Sequence, residues 1–138
     1  MNEYVFVYGT LLRGCGNHRV LAGAEFVTTV FFGDVNYRMI HLGGFPGVVF
    51  DKDYRGPLYG EVYRINPSIE DRLDALEGYN GPDNPYNLYN KGVTPEPVYI
   101  GDVTIQPIMY VFNAEYDEYS NYPTIDTGNW KDRDERCF

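Results

Sequence analysis

Positive charge is scarce in this chain: 11 Lys and Arg stand against 20 Asp and Glu, a net charge of −9. Binding to nucleic acid or to an anionic membrane surface needs a basic footprint, so neither is expected as a partner. A small anion is not excluded, because backbone N–H groups can meet it locally. No run of about 18 apolar residues exists that would span a membrane as a helix. No Lys or Arg precedes the first apolar run, so the N-terminus does not read as a signal peptide. Serine is almost missing. Ser68 and Ser120 are the only two, and neither lies in a G-x-S-x-G elbow. The two cysteines, Cys15 and Cys137, form no C-x-x-C pair. A disulfide between them is one reading. Two free thiols in a reducing compartment is the simpler one, and the expected location is cytoplasmic.

Other absences narrow the chemistry. Cys15, His18, His41 and Cys137 lack metal-ligand spacing, so no metal is expected. Gly14-Cys15-Gly16 does not extend to G-x-G-x-x-G, because position 19 is Arg, and no G-x-x-x-x-G-K occurs, so nucleotide binding has no support. Cys15 and His18 are three residues apart, but a loop does not by itself give a Cys–His pair the geometry of an activated nucleophile.

What is present is one domain's worth of chain, residues 1–138, with 43% hydrophobic residues and enough length for a real core. Fourteen Tyr suit strand packing and amphipathic surface cover. The most informative stretch is Tyr4-Val5-Phe6-Val7-Tyr8-Gly9-Thr10-Leu11-Leu12-Arg13-Gly14. An apolar run bounded by Gly reads as a buried strand. Gly9 permits unusual backbone angles and close approach of another molecule. A strand ending in such a loop can point consecutive N–H groups at an anion or a developing oxyanion. From these residues alone, an ordinary turn after a first strand is an equal reading.

The pattern predicts strands at about 3–8, 25–32, 34–41, 46–50, 58–65, 98–101 and 103–113, with a helical turn at 17–21. One clear helix is expected at 66–77. Residues 78–97 carry turn signals and four Pro, and read as a long loop. The tail 114–138 is polar, aromatic and irregular. Many strands with one or two helices imply an α+β fold with a curled or closed sheet. Two further loops look shaped for a small ligand, a hairpin turn and a core-capping aromatic being the plainer readings. Gly43-Gly44-Phe45-Pro46-Gly47 reads as a hairpin turn able to approach another backbone, and Thr127-Gly128-Asn129-Trp130 holds the only Trp.

In the helix, Asn66 is the expected N-cap, Pro67 suits the first position, and Gly78 suits a left-handed stop. Ile69, Leu73 and Leu76 form the core-facing stripe, with Glu70, Asp71 and Asp74 on a solvated face. Glu77 lies four residues after Leu73, at the edge of the apolar face and the last position before the stop. Partial burial and the negative end of the helix dipole both raise a carboxyl pKa, toward a range useful for proton transfer. A solvated rim residue is the alternative reading.

Together these pieces resemble the γ-glutamylcyclotransferase-like family, and most closely its γ-glutamylamine cyclotransferase branch. The matching segments are Val5–Leu11 with Arg13-Gly14, Asn17-His18, Gly44–Val48, Gly60-Glu61-Val62-Tyr63, Leu73–Tyr79 and Ile125–Trp130, in order along nearly the whole chain. The resemblance implies a small mixed β-barrel with few flanking helices. It implies cleavage of a small γ-glutamyl amine or peptide by attack of the substrate's own α-amine, releasing 5-oxoproline and a free amine. Tyr8, Gly9, Thr10 and Leu11 would then hold the glutamyl group, and Glu77 would be the general acid/base. No cofactor is implied. A non-catalytic module that keeps the pocket is the alternative. Three departures stand out: an insertion-like Asn80–Tyr86 within the loop Asn80–Pro97, Lys91 where Arg is usual, and Asn129 where Asp is usual.

Overall fold

The computed structural model describes residues 3–115 and 122–132. At its centre is a short apolar strand, β1 (Tyr4–Val7), whose Val5, Phe6 and Val7 are all buried. Burial on both faces explains the unbroken apolar run. Strand β2 (Glu25–Val35) is followed by the hairpin strands β3 (Tyr37–His41) and β4 (Pro46–Phe50), then by β5 (Gly56–Arg64). Helix α1 (Pro67–Glu77) precedes β6 (Tyr89–Val93), β7 (Val98–Ile100), β8 (Val103–Ile105) and β9 (Ile108–Phe112). The main sheet runs β2-β5-β1-β9-β6. It is mixed: β1 is antiparallel to β5 and parallel to β9.

The α+β class and mixed sheet are those expected. The strand pairs make an open five-stranded ladder and two separate hairpins, with no hydrogen-bonded ring among the described residues. The β3–β4 hairpin folds over the sheet. A Cβ at Gly47 would lie 2.9 Å from Phe112 Cβ, so glycine lets β4 lie directly on β9. Residues 123–125 extend the hairpin, with Ile125 N–H donating to Met39 O (2.8 Å) and His41 N–H to Pro123 O (2.9 Å).

Helix α1 follows its sequence signals closely. The Asn66 side chain accepts from Ile69 N–H at 2.9 Å. Gly78 closes the helix at φ 64°, its N–H turned back to Ala75 and Asp74 carbonyls. Ile69 and Leu73 are buried, but Leu76 is 38% exposed and stands at the rim of a cavity.

Four expectations are corrected. The β2–β3 turn falls at residue 36, not at Gly33, because an irregularity between Phe32 and Val35 lets β2 continue along β5. The long loop contains β6, an edge strand paired only with β9. Its Tyr-Asn-Lys-Gly-Val sequence buries Tyr89 alone, so no apolar alternation marks it. The run 103–113 is two strands, broken at Gln106-Pro107, where Pro has no N–H to give to a ladder. Finally, Cys15 is disulfide-bonded, so the reading of two free thiols is overturned. Separation along the sequence says nothing about distance in space. Cys137 itself lies outside the described residues, as do 116–121 of the tail.

Candidate active site

Beyond β1 the chain turns sharply. Leu12 N–H donates to Gly9 O (3.0 Å), Cys15 N–H to Leu12 O (3.0 Å) and Asn17 N–H to Thr10 O (2.9 Å). The Asn17 side chain also donates to Thr10 Oγ1 at 2.9 Å. His18 Nδ1 lies 2.9 Å from Leu11 O. In this turn the N–H groups of Gly9, Thr10 and Leu11 find no acceptor among the described residues. All three residues line a cavity of about 290 Å³. Unpaired backbone donors facing a cavity are a ready anion site.

Gly9 is required there for space, not for conformation. Its φ is not positive, but a Cβ would lie 2.6 Å from Pro46 Cγ. Pro46 and Phe45, from the β3–β4 turn, line the cavity beside it.

Glu77 lines the same cavity, together with Tyr8, Tyr89 and Tyr110. Helix α1 ends on it, and the left-handed turn at Gly78 then carries the chain away. Its carboxylate receives no hydrogen bond from the described residues, and burial pushes its pKa up to about 7. Desolvation without a compensating donor is the cause.

The three phenols are committed elsewhere. Tyr8 OH donates to Tyr110 O (2.6 Å), Tyr89 OH to Pro46 O (2.6 Å) and Tyr110 OH to Asp74 Oδ1 (2.6 Å). Burial raises the pKa of all three; the Glu77 charge adds to the rise at each. They remain neutral, and Glu77 is the one cavity group titrating near neutrality among the described residues.

The departures now have places. Lys91 sits between two α1 carboxylates, 2.6 Å from Glu70 Oε2 and 2.9 Å from Asp74 Oδ1, with Nζ 4.8 Å from the Tyr79 ring centroid. It does not line the cavity. The insertion wraps around buried Asn87, which accepts from Asn80 N–H (2.7 Å) and donates to Gly81 O (2.8 Å). That anchor delivers Leu88 and Tyr89 to the cavity wall. Asn129 Oδ1 accepts from Lys131 N–H (3.0 Å) and caps the turn at Trp130–Asp132.

Tyr8, Gly9, Thr10, Leu11 and Glu77 are therefore brought together. Phe45 and Pro46, from a loop read as shaped for a small ligand, and Asn17, from a segment matched to the family but given no role, line the cavity too, as do Leu88, Tyr89 and Tyr110. Cys15 and His18 do not line it, and a disulfide sulfur is not a thiolate nucleophile. No group of His, Cys, Asp and Glu fit to hold a metal occurs among the described residues. No helix among the described residues is long and apolar enough to cross a membrane.

An open mixed sheet bears a small cavity lined both by residues with unpaired N–H groups and by one carboxyl of raised pKa, a combination suited to small-molecule acid/base chemistry. The chain belongs to the gamma-glutamyl cyclotransferase, AIG2-like family, whose model matches residues 5–132. It is 32% identical over 130 residues to the gamma-glutamylcyclotransferase family protein YtfP of Escherichia coli K12, covering 94% of this chain and 97% of that one. It is 30% identical over 88 residues to the gamma-L-glutamyl-butirosin B gamma-glutamyl cyclotransferase of Niallia circulans, covering 63% of this chain and 53% of that one. Among solved structures it resembles YkqA of Bacillus subtilis (TM-score 0.68, 26% identity), with 95% of this chain matching 40% of that one. It also shares the fold of a mouse aig2-like protein (TM-score 0.65, 20% identity; 90% of this chain, 86% of that one).

Proposed function

We propose that this protein cleaves a small γ-glutamyl amine by intramolecular cyclisation. The α-amine nitrogen of the substrate attacks its own γ-carbonyl carbon, the amide C–N bond breaks, and 5-oxoproline and a free amine leave. The proton lost by the attacking amine ends on the leaving nitrogen, so no water is consumed and the atoms balance.

One observation carries this reading: Glu77, with a pKa of about 7, shares a 290 Å³ cavity with the unpaired N–H groups of the Tyr8–Leu11 turn. An α-amine has a pKa of about 8 and is mostly protonated at neutral pH, so attack needs a base. Glu77 takes that proton and returns it to the leaving amine. The turn N–H groups hold the glutamyl oxygens and stabilise the oxyanion. Well-oriented intramolecular attack supplies about 7–11 kcal/mol of the barrier lowering. The Tyr89 and Tyr110 oxygens, their protons donated elsewhere, remain acceptors for the substrate ammonium, whereas the Tyr8 oxygen already accepts a backbone bond from Val48.

A purely binding role would leave Glu77 without a purpose, because a carboxylate without donors only repels the substrate's own carboxylate. The cavity's described lining contains no Lys or Arg. That favours a leaving amine without a carboxylate over a γ-glutamyl peptide, whose terminal carboxylate would find no cation there.

Three measurements test the reading. A mass-spectrometric screen of γ-glutamyl amines and peptides should show 5-oxoproline release, fastest from uncharged amines. Acetylating the α-amine of the best substrate should abolish turnover; hydrolysis of the acetylated compound would instead indicate an enzyme nucleophile or activated water. For an active substrate, kcat/KM should fall tenfold per unit below an apparent pKa near 7, as Glu77 gains its proton. An acid limb centred near 4.5 would remove Glu77 from that role.

A further inference from the structure

Glu61 is the most deeply buried carboxylate among the described residues, 1% exposed in the middle of β5, and the chemistry above does not use it. A carboxylate withdrawn from water is costly, and it is found in a core where it is fully hydrogen-bonded. Glu61 has donors at both oxygens. Oε1 accepts from the backbone N–H of Arg13 at 3.0 Å and from Tyr63 OH at 2.9 Å. Oε2 accepts from Arg13 Nε at 3.2 Å. Two of these three bonds come from a single residue, Arg13, 48 positions away in sequence.

Arg13 stands at the far end of the turn that begins at Gly9. Its guanidinium carbon lies 4.1 Å from the Phe26 ring centroid, on β2, and its side chain is 53% exposed. It is tied to the sheet on both its main chain and its side chain. Between this tether and β1, the Leu12 N–H bond to Gly9 O closes the turn whose free N–H groups line the cavity. A backbone donor is useful only at the right position, and hydrogen-bonded supporting groups are what hold it there.

We propose that Glu61 is a positioning residue of the cavity: through Arg13 it fixes the Gly9–Leu12 turn in the orientation that presents its N–H groups to the ligand. The role rests on the reading of that turn as the glutamyl-binding element. Charge-assisted bonds to a carboxylate are the stronger kind, and an amide of the same shape keeps one acceptor while losing the charge.

The test uses the full chain and 5-oxoproline as probe. Glu61→Gln, Arg13→Ala and the double variant are compared with the parent by calorimetric titration, alongside melting temperature and the amide NMR shifts of Gly9–Leu12. Each single variant should bind 5-oxoproline about tenfold more weakly, the double variant no worse than the weaker single one, and the Gly9–Leu12 amides should move. If Glu61→Gln melts lower but binds as the parent does, Glu61 is only a stabilising group and the proposal falls. It falls equally if Arg13→Ala has no effect, or if the two losses multiply. Should the parent itself not bind 5-oxoproline, the ligand reading fails; unmoved Gly9–Leu12 amides in Glu61→Gln would then overturn the positioning role as well, and displaced ones would sustain it.

Discussion

Glu77→Gln is expected to lower 5-oxoproline release by about 100-fold or more, the cost of removing a general base. Substrate affinity should change far less, because Gln keeps the size of the side chain and removes only its proton chemistry. Stability should move the other way. Burial raises the Glu77 pKa from 4.5 to about 7, so the folded state holds this proton more tightly than the unfolded chain does. Its contribution is fully present below about pH 4.5 and is lost as pH rises through about 7. Gln carries no such penalty. The variant should therefore melt close to the parent at pH 4 to 5 and above it at pH 8. A variant that turns over normally, or that melts below the parent at pH 8, would remove Glu77 from the mechanism or from its buried setting.

The second large effect is expected at Gly9. A Cβ there lies 2.6 Å from Pro46 Cγ and 2.8 Å from Pro46 Cδ, closer than side chains tolerate. Pro46 is a buried ring at the start of β4, and Tyr89 OH donates to its carbonyl. In Gly9→Val the branched side chain must displace that wall and fill the space beside the free N–H groups. Overpacking of this kind costs about 1–3 kcal/mol. Binding of 5-oxoproline should be lost altogether, and Gly9→Ala should fall between the two. The discriminating measurement is calorimetric titration at a temperature where the variant remains folded. Binding by Gly9→Val at parental affinity would show that the ligand lies elsewhere.

Much of this was legible in the residues. The apolar run into Tyr-Gly-Thr-Leu placed β1 and its turn, because a strand buried on both faces must be apolar throughout. Asn66, Pro67 and Gly78 bounded α1, because helix ends are decided by local groups. Glu77 was marked by its position at the end of that helix. Other features were hidden for physical reasons. β6 sits at a sheet edge with one buried side chain, so its sequence carries no alternation. Leu76 obeys the helical stripe yet borders a cavity, since periodicity gives a face but not what the face meets. The disulfide at Cys15 and the burial of Glu61 depend on which distant segments come together.

By itself the sequence determined the class of fold, the turn after the first strand, the helix with its terminal carboxyl, and the family resemblance, because each rests on neighbours in the chain. Only the tertiary structure decided that Glu77 and the Gly9–Leu11 N–H groups share one cavity. It alone gave the three phenol protons to Tyr110 O, Pro46 O and Asp74 Oδ1, so that desolvation acts on a carboxyl with no donor. It also set Glu61 beneath Arg13. These are distances between residues far apart in the chain, and they arise only when β1, β5, β9 and the end of α1 pack together.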